Sequence, residues 1–204
     1  MLESADTVPE AGAIDKLVAP LAVPNVGMTG GRPVPVNTPD TFMGYSAHLM
    51  WSLHHLIALR SPKLGELIAF RNIIPKIPED TAVDEASIEA LITQAGYKLH
   101  YVPDAVVRNK GPDSIKDFLR QRRRISAGHQ YLAAKQGYRV STTDLKEILK
   151  ILIKHHPTHM RHIFWCVGAC FLELTARMLG SFDVHVRKHV PAAWDMALST
   201  KSWN

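Results

Sequence analysis

Apolar residues recur three and four apart along several stretches of this chain, and between them lie shorter segments whose apolar positions alternate or run together. Ile14, Leu17 and Val18 predict a short amphipathic helix over 11–20, beginning near Pro9 and stopping at Pro20. Met43, Ala47, Met50, Leu53, Leu56 and Ile57 predict one long helix over 42–59, with Trp51, His54 and His55 on or beside the stripe. A third helix is expected over 85–94, capped by Thr81 or Asp84 and ended by Gly96. A fourth runs from a Ser114 cap to about Gln136, before Gly137. After Thr143, Leu145, Ile148, Leu149, Leu152 and Ile153 share a helix with Lys146, Lys150 and Lys154 on its other faces, and a second, apolar helix follows over 160–179.

The strand signals fall between these helices. Residues 26–36 are rich in Gly, Val and Pro and read as strand and loop, with Gly27, Gly30 and Gly31 as places where backbone can approach a ligand closely. Residues 65–70 read as a short, mostly buried strand, followed by a loop at Pro75 and Pro78. Tyr97, Leu99 and Tyr101 alternate with Lys98 and His100 as a strand that Pro103 ends. Helix and strand alternate, which predicts an α/β layer arrangement: a mixed sheet with flanking helices over 1–137, then a helical region over 138–204.

Composition sharpens this picture in three places. With 204 residues, 46% hydrophobic and 21% charged, the chain buries a real core and is not disordered. The net charge of +5 and pI of about 9.3 come largely from clusters at 120–124, 146–154 and 187–188, so the basic surface is local and suits phosphates or anionic headgroups. The two cysteines, Cys166 and Cys170, stand four apart in an apolar helical stretch and read as small buried hydrophobes. A reducing, cytosol-facing location fits them. The apolar run at 163–172 is cut by Glu173 and Arg177 and is short of the roughly 18–20 residues that cross a bilayer, so it is expected to be interfacial or buried. Beside the basic amphipathic helix it predicts association with a membrane surface.

Candidate chemistry lies between residues 84 and 129. Asp84 and Glu85 open a helix, and the basic run Gln121-Arg122-Arg123-Arg124-Ile125 follows after a strand and a Gly-Pro turn. A carboxylate that takes a proton and guanidinium groups that hold phosphates are what a transferase needs when its leaving group is a nucleoside diphosphate. Gln121 and Arg124, three apart, share one helix face. His54 and His55 are adjacent, so they do not form a metal pair on one face and read as core or interface histidines.

In order, the motifs Ser4-Ala5-Asp6, then 26–33 with its Gly30-Gly31-Arg32 turn, then Val83-Asp84-Glu85, then Gln121 to Ile125, resemble the second half of a family 2 glycosyltransferase with an A-type nucleotide-sugar fold, over roughly 2–128. The resemblance implies inverting transfer from a nucleotide-sugar donor to a carbohydrate or lipid-linked acceptor, as in polysaccharide biosynthesis, at the cytoplasmic face of a membrane. It implies Asp84 as the general base, with Val83 where the family has Glu. It makes Asp6 the ligand of a Mg²⁺ or Mn²⁺ ion, with Ser4 where the family has a first carboxylate. Substrate contacts are implied for Gly30, Gly31, Arg32, Trp51, Glu85, Gln121, Arg123 and Arg124, with Ile125 in place of an acceptor-binding Trp. A donor-binding βαβ half is implied before the metal motif, which stands five residues after the start of this sequence; without those strands the nucleotide site would be open on one side, and the activity of this chain alone is left open. The rival readings are a membrane-peripheral or phosphate- and nucleic-acid-binding helical module, for which the aromatic interleaving is missing, and a non-catalytic subunit lending its helices to a donor-binding partner.

Overall fold

The computed structural model describes residues 1–4, 6–74, 76–78, 83–155, 157–188 and 200. The strands β1 (Leu2–Glu3), β2 (Thr7–Pro9), β3 (Val26–Pro35), β4 (Leu67–Phe70) and β5 (Lys98–Asn109) form one sheet in the order β1-β4-β3-β5-β2. β3 and β5 run parallel and the other pairs antiparallel, so the sheet is mixed, as the alternation of elements predicts.

Successive strand residues face opposite sides of the sheet, and each side is covered by helix. On one side Leu67, Ala69, Ala105 and Val107 pack with Leu17 of α1 (Ala13–Val18). On the other, Met28, Ile68 and Tyr101 pack with Ala58 of α2 (Phe42–Ala58) and with Ile88 and Ile92 of α3 (Asp84–Gln94). Beyond this sandwich, Leu132 of α4 (Ile115–Gln136) meets Val83, Ala86 and Ala90 at the start of α3. α5 (Leu145–Lys154) then packs on α2, and α6 (Met160–Phe182) on both α2 and α4.

Local capping chemistry sets the starts of α2, α4 and α5. Thr41 accepts from the Gly44 amide at 3.0 Å, Ser114 from Asp117 at 3.1 Å, and Asp144 from Lys146 at 2.9 Å. α3 departs from expectation: Val83 stands at its N-cap without a side-chain cap, and Asp84 is its first helical residue. Thr81 and Pro75 lie outside the described residues.

Two expectations are corrected by contacts distant in sequence. Pro103 does not end β5, which continues to Asn109. Between the pairs Gly30–Tyr101 and Arg32–Val106, β5 advances five residues while β3 advances two, so the proline, which has no amide to donate, lies in the irregularity where no ladder bond is required. α6 likewise runs unbroken through Glu173 and Arg177. Both charges are paired with Arg122 or each other, so the apolar face continues to Phe182. Among the described residues, the segment Met160–Arg187 is long and apolar enough to cross a membrane by length and composition, where the uninterrupted apolar run alone reads as too short.

Candidate active site

A cavity of about 1120 Å³ opens between the edge of the sheet and the helices α2, α4, α5 and α6. Its polar end gathers Asp6, from the loop after β1, with Glu66, at the start of β4, and Glu85, in the first turn of α3. Gln121 and Arg124 of α4, the pair whose spacing puts both on one helix face, line the same cavity. Trp51 and His54 of α2 and His129 of α4 also line the space.

The arginine-rich run divides by function. Arg122 makes a fork to Glu173 of α6, Nε to Oε2 at 2.7 Å and Nη2 to Oε1 at 2.8 Å, and Arg177 joins the same carboxylate at 2.7 Å. Arg123 makes a second fork to Asp183 at 2.5 and 2.6 Å and is not among the cavity-lining residues. This guanidinium fastens α4 to the turn after α6, away from the cavity in which the other expected contacts Gln121 and Arg124 lie. Arg124 differs, since its Nε is buried and has no hydrogen-bond partner among the described residues. A buried donor left without a partner costs free energy, and an anionic oxygen brought into the cavity would satisfy it.

The acidic pair divides too. Glu85 is half-buried and lines the cavity, whereas Asp84 is exposed and does not. Asp84 stays within electrostatic reach: desolvation and the neighbouring Glu85 raise its pKa, while Arg124 acts in the opposite direction. Both carboxylates sit in the first turn of α3, where the helix dipole favours negative charge. Of this pair, Glu85 is the carboxylate that lines the cavity.

Glu66 is the residue that pattern reading missed. It adopts φ of 61°, a left-handed conformation it shares, among the described non-glycine residues, only with Lys188. Its pKa is pushed up to about 7 by burial, then by the charges of Glu85 and Asp6, against a hydrogen bond from Ser4 and the charge of Lys63. The available signal was a charged residue between Gly65 and an otherwise apolar strand. His54 and His129 are driven the other way, to about 3, by burial and by Lys63, so both rings are neutral at ordinary pH. Lys63 is itself paired with the buried Glu89 at 3.3 Å, and Glu89 accepts from the Tyr138 hydroxyl at 3.2 Å.

The glycine turn lies elsewhere. Gly30 and Gly31 are buried in β3, and the close approaches they permit are to the chain itself: a Cβ at Gly30 would stand 2.6 Å from Leu64 Cβ, and one at Gly31 2.5 Å from the Ala105 carbonyl. Arg32 sits by Tyr101 and His55, which share a hydrogen bond at 2.9 Å, and it is not among the cavity-lining residues. The structure therefore does not bring these three positions together with the cavity that Glu85, Gln121 and Arg124 line. Among the described residues, no group of three or more His, Cys, Asp or Glu side chains is disposed to hold a metal ion. Asp6 is a hard oxygen donor facing the cavity, and it fits such an ion only with oxygens supplied by a bound phosphate.

Two comparisons with known proteins bear on this site. Residues 73–198 match the family model described as "Glycosyl transferase family group 2". No curated protein matches the chain.

Proposed function

The chain belongs to glycosyl transferase family group 2, with well over half its length matched, and on that premise we propose that it moves a glycosyl group from a nucleotide-sugar donor to an acceptor hydroxyl, with inversion at the anomeric carbon. The supporting observation is that two carboxylates, Asp6 and Glu85, line one cavity together with Gln121 and the Arg124 cation. Glu85 takes the proton from the acceptor hydroxyl as its oxygen bonds to the anomeric carbon. The bond from that carbon to the diphosphate breaks, and the diphosphate leaves with the electron pair. Arg124 and the Gln121 side-chain amide hold the departing phosphates by donating hydrogen bonds to their anionic oxygens. Trp51 offers an apolar ring face to a sugar. Asp6 would hold Mg²⁺ or Mn²⁺ together with phosphate oxygens, and the ion would offset the charge on the leaving group.

The same reading puts α5 and α6 on the cytoplasmic face of a membrane. Leu145, Leu149 and Ile153 of α5 are 56, 57 and 65% exposed, and Phe164, Val167, Phe171 and Met178 form a stripe on α6 that no other part of the described chain covers. The rival, an open phosphate-binding helix face, is disfavoured because Arg122 and Arg123 are committed to carboxylates of α6 and the turn after it.

The test is nucleoside diphosphate release from a panel of nucleotide sugars by the wild type, Glu85→Gln and Asp84→Asn. Loss of the base should lower kcat by about 100- to 10,000-fold in Glu85→Gln with diphosphate affinity kept, and by less than about tenfold in Asp84→Asn. Near wild-type turnover in Glu85→Gln would remove the base role from that residue.

A further inference from the structure

The cavity is not polar throughout. Leu49, Met50 and Leu53 of α2 and Ile148 and Leu152 of α5 give it apolar walls, beside which Arg139, Thr142, Thr143 and Arg177 also line the space. This apolar limb reaches the surface at Leu145, Leu149 and Leu174, which line the cavity and are 56, 57 and 50% exposed. Those three residues therefore belong at once to the inner wall and to the uncovered apolar face of α5 and α6. Against the leucine and isoleucine walls the hydroxyls of a soluble sugar acceptor would lose water without return, whereas a hydrocarbon chain would gain.

We propose that the acceptor is a lipid: a hydroxyl-bearing head group at the Glu85 end, carried on a hydrocarbon chain that lies between α2 and α5 and enters from the membrane past Leu149 and Leu174. The inference rests on the transferase reading and deepens it by naming the acceptor class. Two features favour this occupant over a protein partner. The apolar limb is continuous with the acid-lined end, so one amphiphile matches both. Lys146, Lys150 and Lys154 also flank the opening on the exposed surface of α5, where anionic head groups would meet them.

The experiment uses dodecyl glucoside carrying a diazirine at the chain end, below its micelle concentration, with methyl glucoside as the chainless control. Dodecyl glucoside should bind at least about 100-fold more tightly, since burial of about four methylenes is enough for that ratio. The photolabel should fall on residues of α2 and α5. Leu149→Glu, at an exposed mouth position where folding is not at risk, should weaken dodecyl glucoside at least about tenfold, whereas Phe164→Glu, on the outer stripe, should not. Equal affinity for the two glucosides, or label confined to the outer face of α6, overturns the inference. Nucleoside diphosphate release separates this from the premise. Release driven equally well by methyl glucoside leaves transfer standing and removes the lipid, whereas absence of release with label still on α2 and α5 removes transfer and keeps the lipid site.

Discussion

Glu66 concentrates more strain and electrostatic cost than any other single residue at the polar end of the cavity. A left-handed backbone costs a non-glycine residue about 1–2 kcal/mol, and here its carbonyl accepts from the Ser4 amide at 2.9 Å, tying β1 to the edge beside Asp6. Its carboxyl titrates near 7, above the ordinary carboxylate range, because ionising it beside Glu85 and Asp6 away from water is unfavourable. A raised folded-state pKa means the protonated form stabilises the fold. That contribution is complete below the unfolded value, near 4.5, and disappears as pH rises through about 7. Glu66→Gln, which cannot ionise, should therefore gain on the wild type by about 1–2 kcal/mol between pH 5 and pH 8, after discount for partial exposure. Chemical denaturation at the two pH values measures it, and an identical difference at both would refute the assignment. His54 and His129 act in the acid direction, losing stability as pH falls below about 6.5 toward 3, in both proteins alike, so the comparison cancels them.

At the level of elements, three consecutive arginines on α4 have three fates, decided by which residues of α6 and the turn after it come alongside. Arg123→Ala should cost about 1–2 kcal/mol of stability by leaving Asp183 without its fork, with diphosphate affinity unchanged. Arg124→Ala should do the reverse, weakening diphosphate about 10- to 100-fold with little change in melting temperature. Calorimetry and diphosphate titration on both variants check this, and a weakened diphosphate site in Arg123→Ala would contradict it. These fates explain what could be read from sequence. The ends of α4 were legible at Ser114 and Gly137 because capping is a local matter between neighbours. So was the placing of Gln121 and Arg124 on one face, which follows from helical spacing. The pairing of Arg123 with Asp183, sixty residues away, and the irregularity that lets β5 pass Pro103 depend on which elements meet, and no local pattern encodes that. The glycines of β3 belong with these: that backbone passes close to them is local, but that the neighbours include Leu64 and Ala105 depends on which elements meet.

For the whole molecule, the sheet and α4 build a polar site at one side while α5 and α6 turn an uncovered apolar surface outward, and the cavity connects the two. α6 is held against α4 where Gly180 allows the backbones to touch: a Cβ there would stand 2.8 Å from the Arg123 carbonyl. The forks of Arg122 and Arg123 flank that contact, so the inner face of α6 is fixed while its outer stripe stays free. At its N-terminal end, Arg161 lies 4.1 Å over the Trp165 ring and His162 stacks on Tyr45 at 5.2 Å, the amphipathic pairing that suits head-group depth. With the three exposed lysines of α5, this surface should bind vesicles by insertion and charge together. Replacing Lys146, Lys150 and Lys154 by Gln should weaken binding to anionic vesicles about 10- to 100-fold, at about 1 kcal/mol per lysine or somewhat less, and leave binding to neutral vesicles unchanged. Added salt should weaken the wild type toward the triple variant, because the charge term is screened within about 10 Å at 0.1 M. Phe171→Ser, removing a side chain 68% exposed on the stripe, should weaken both kinds of vesicle equally. Co-sedimentation across lipid composition and salt reads all three, and a wild type indifferent to vesicle charge would separate α5 from the membrane.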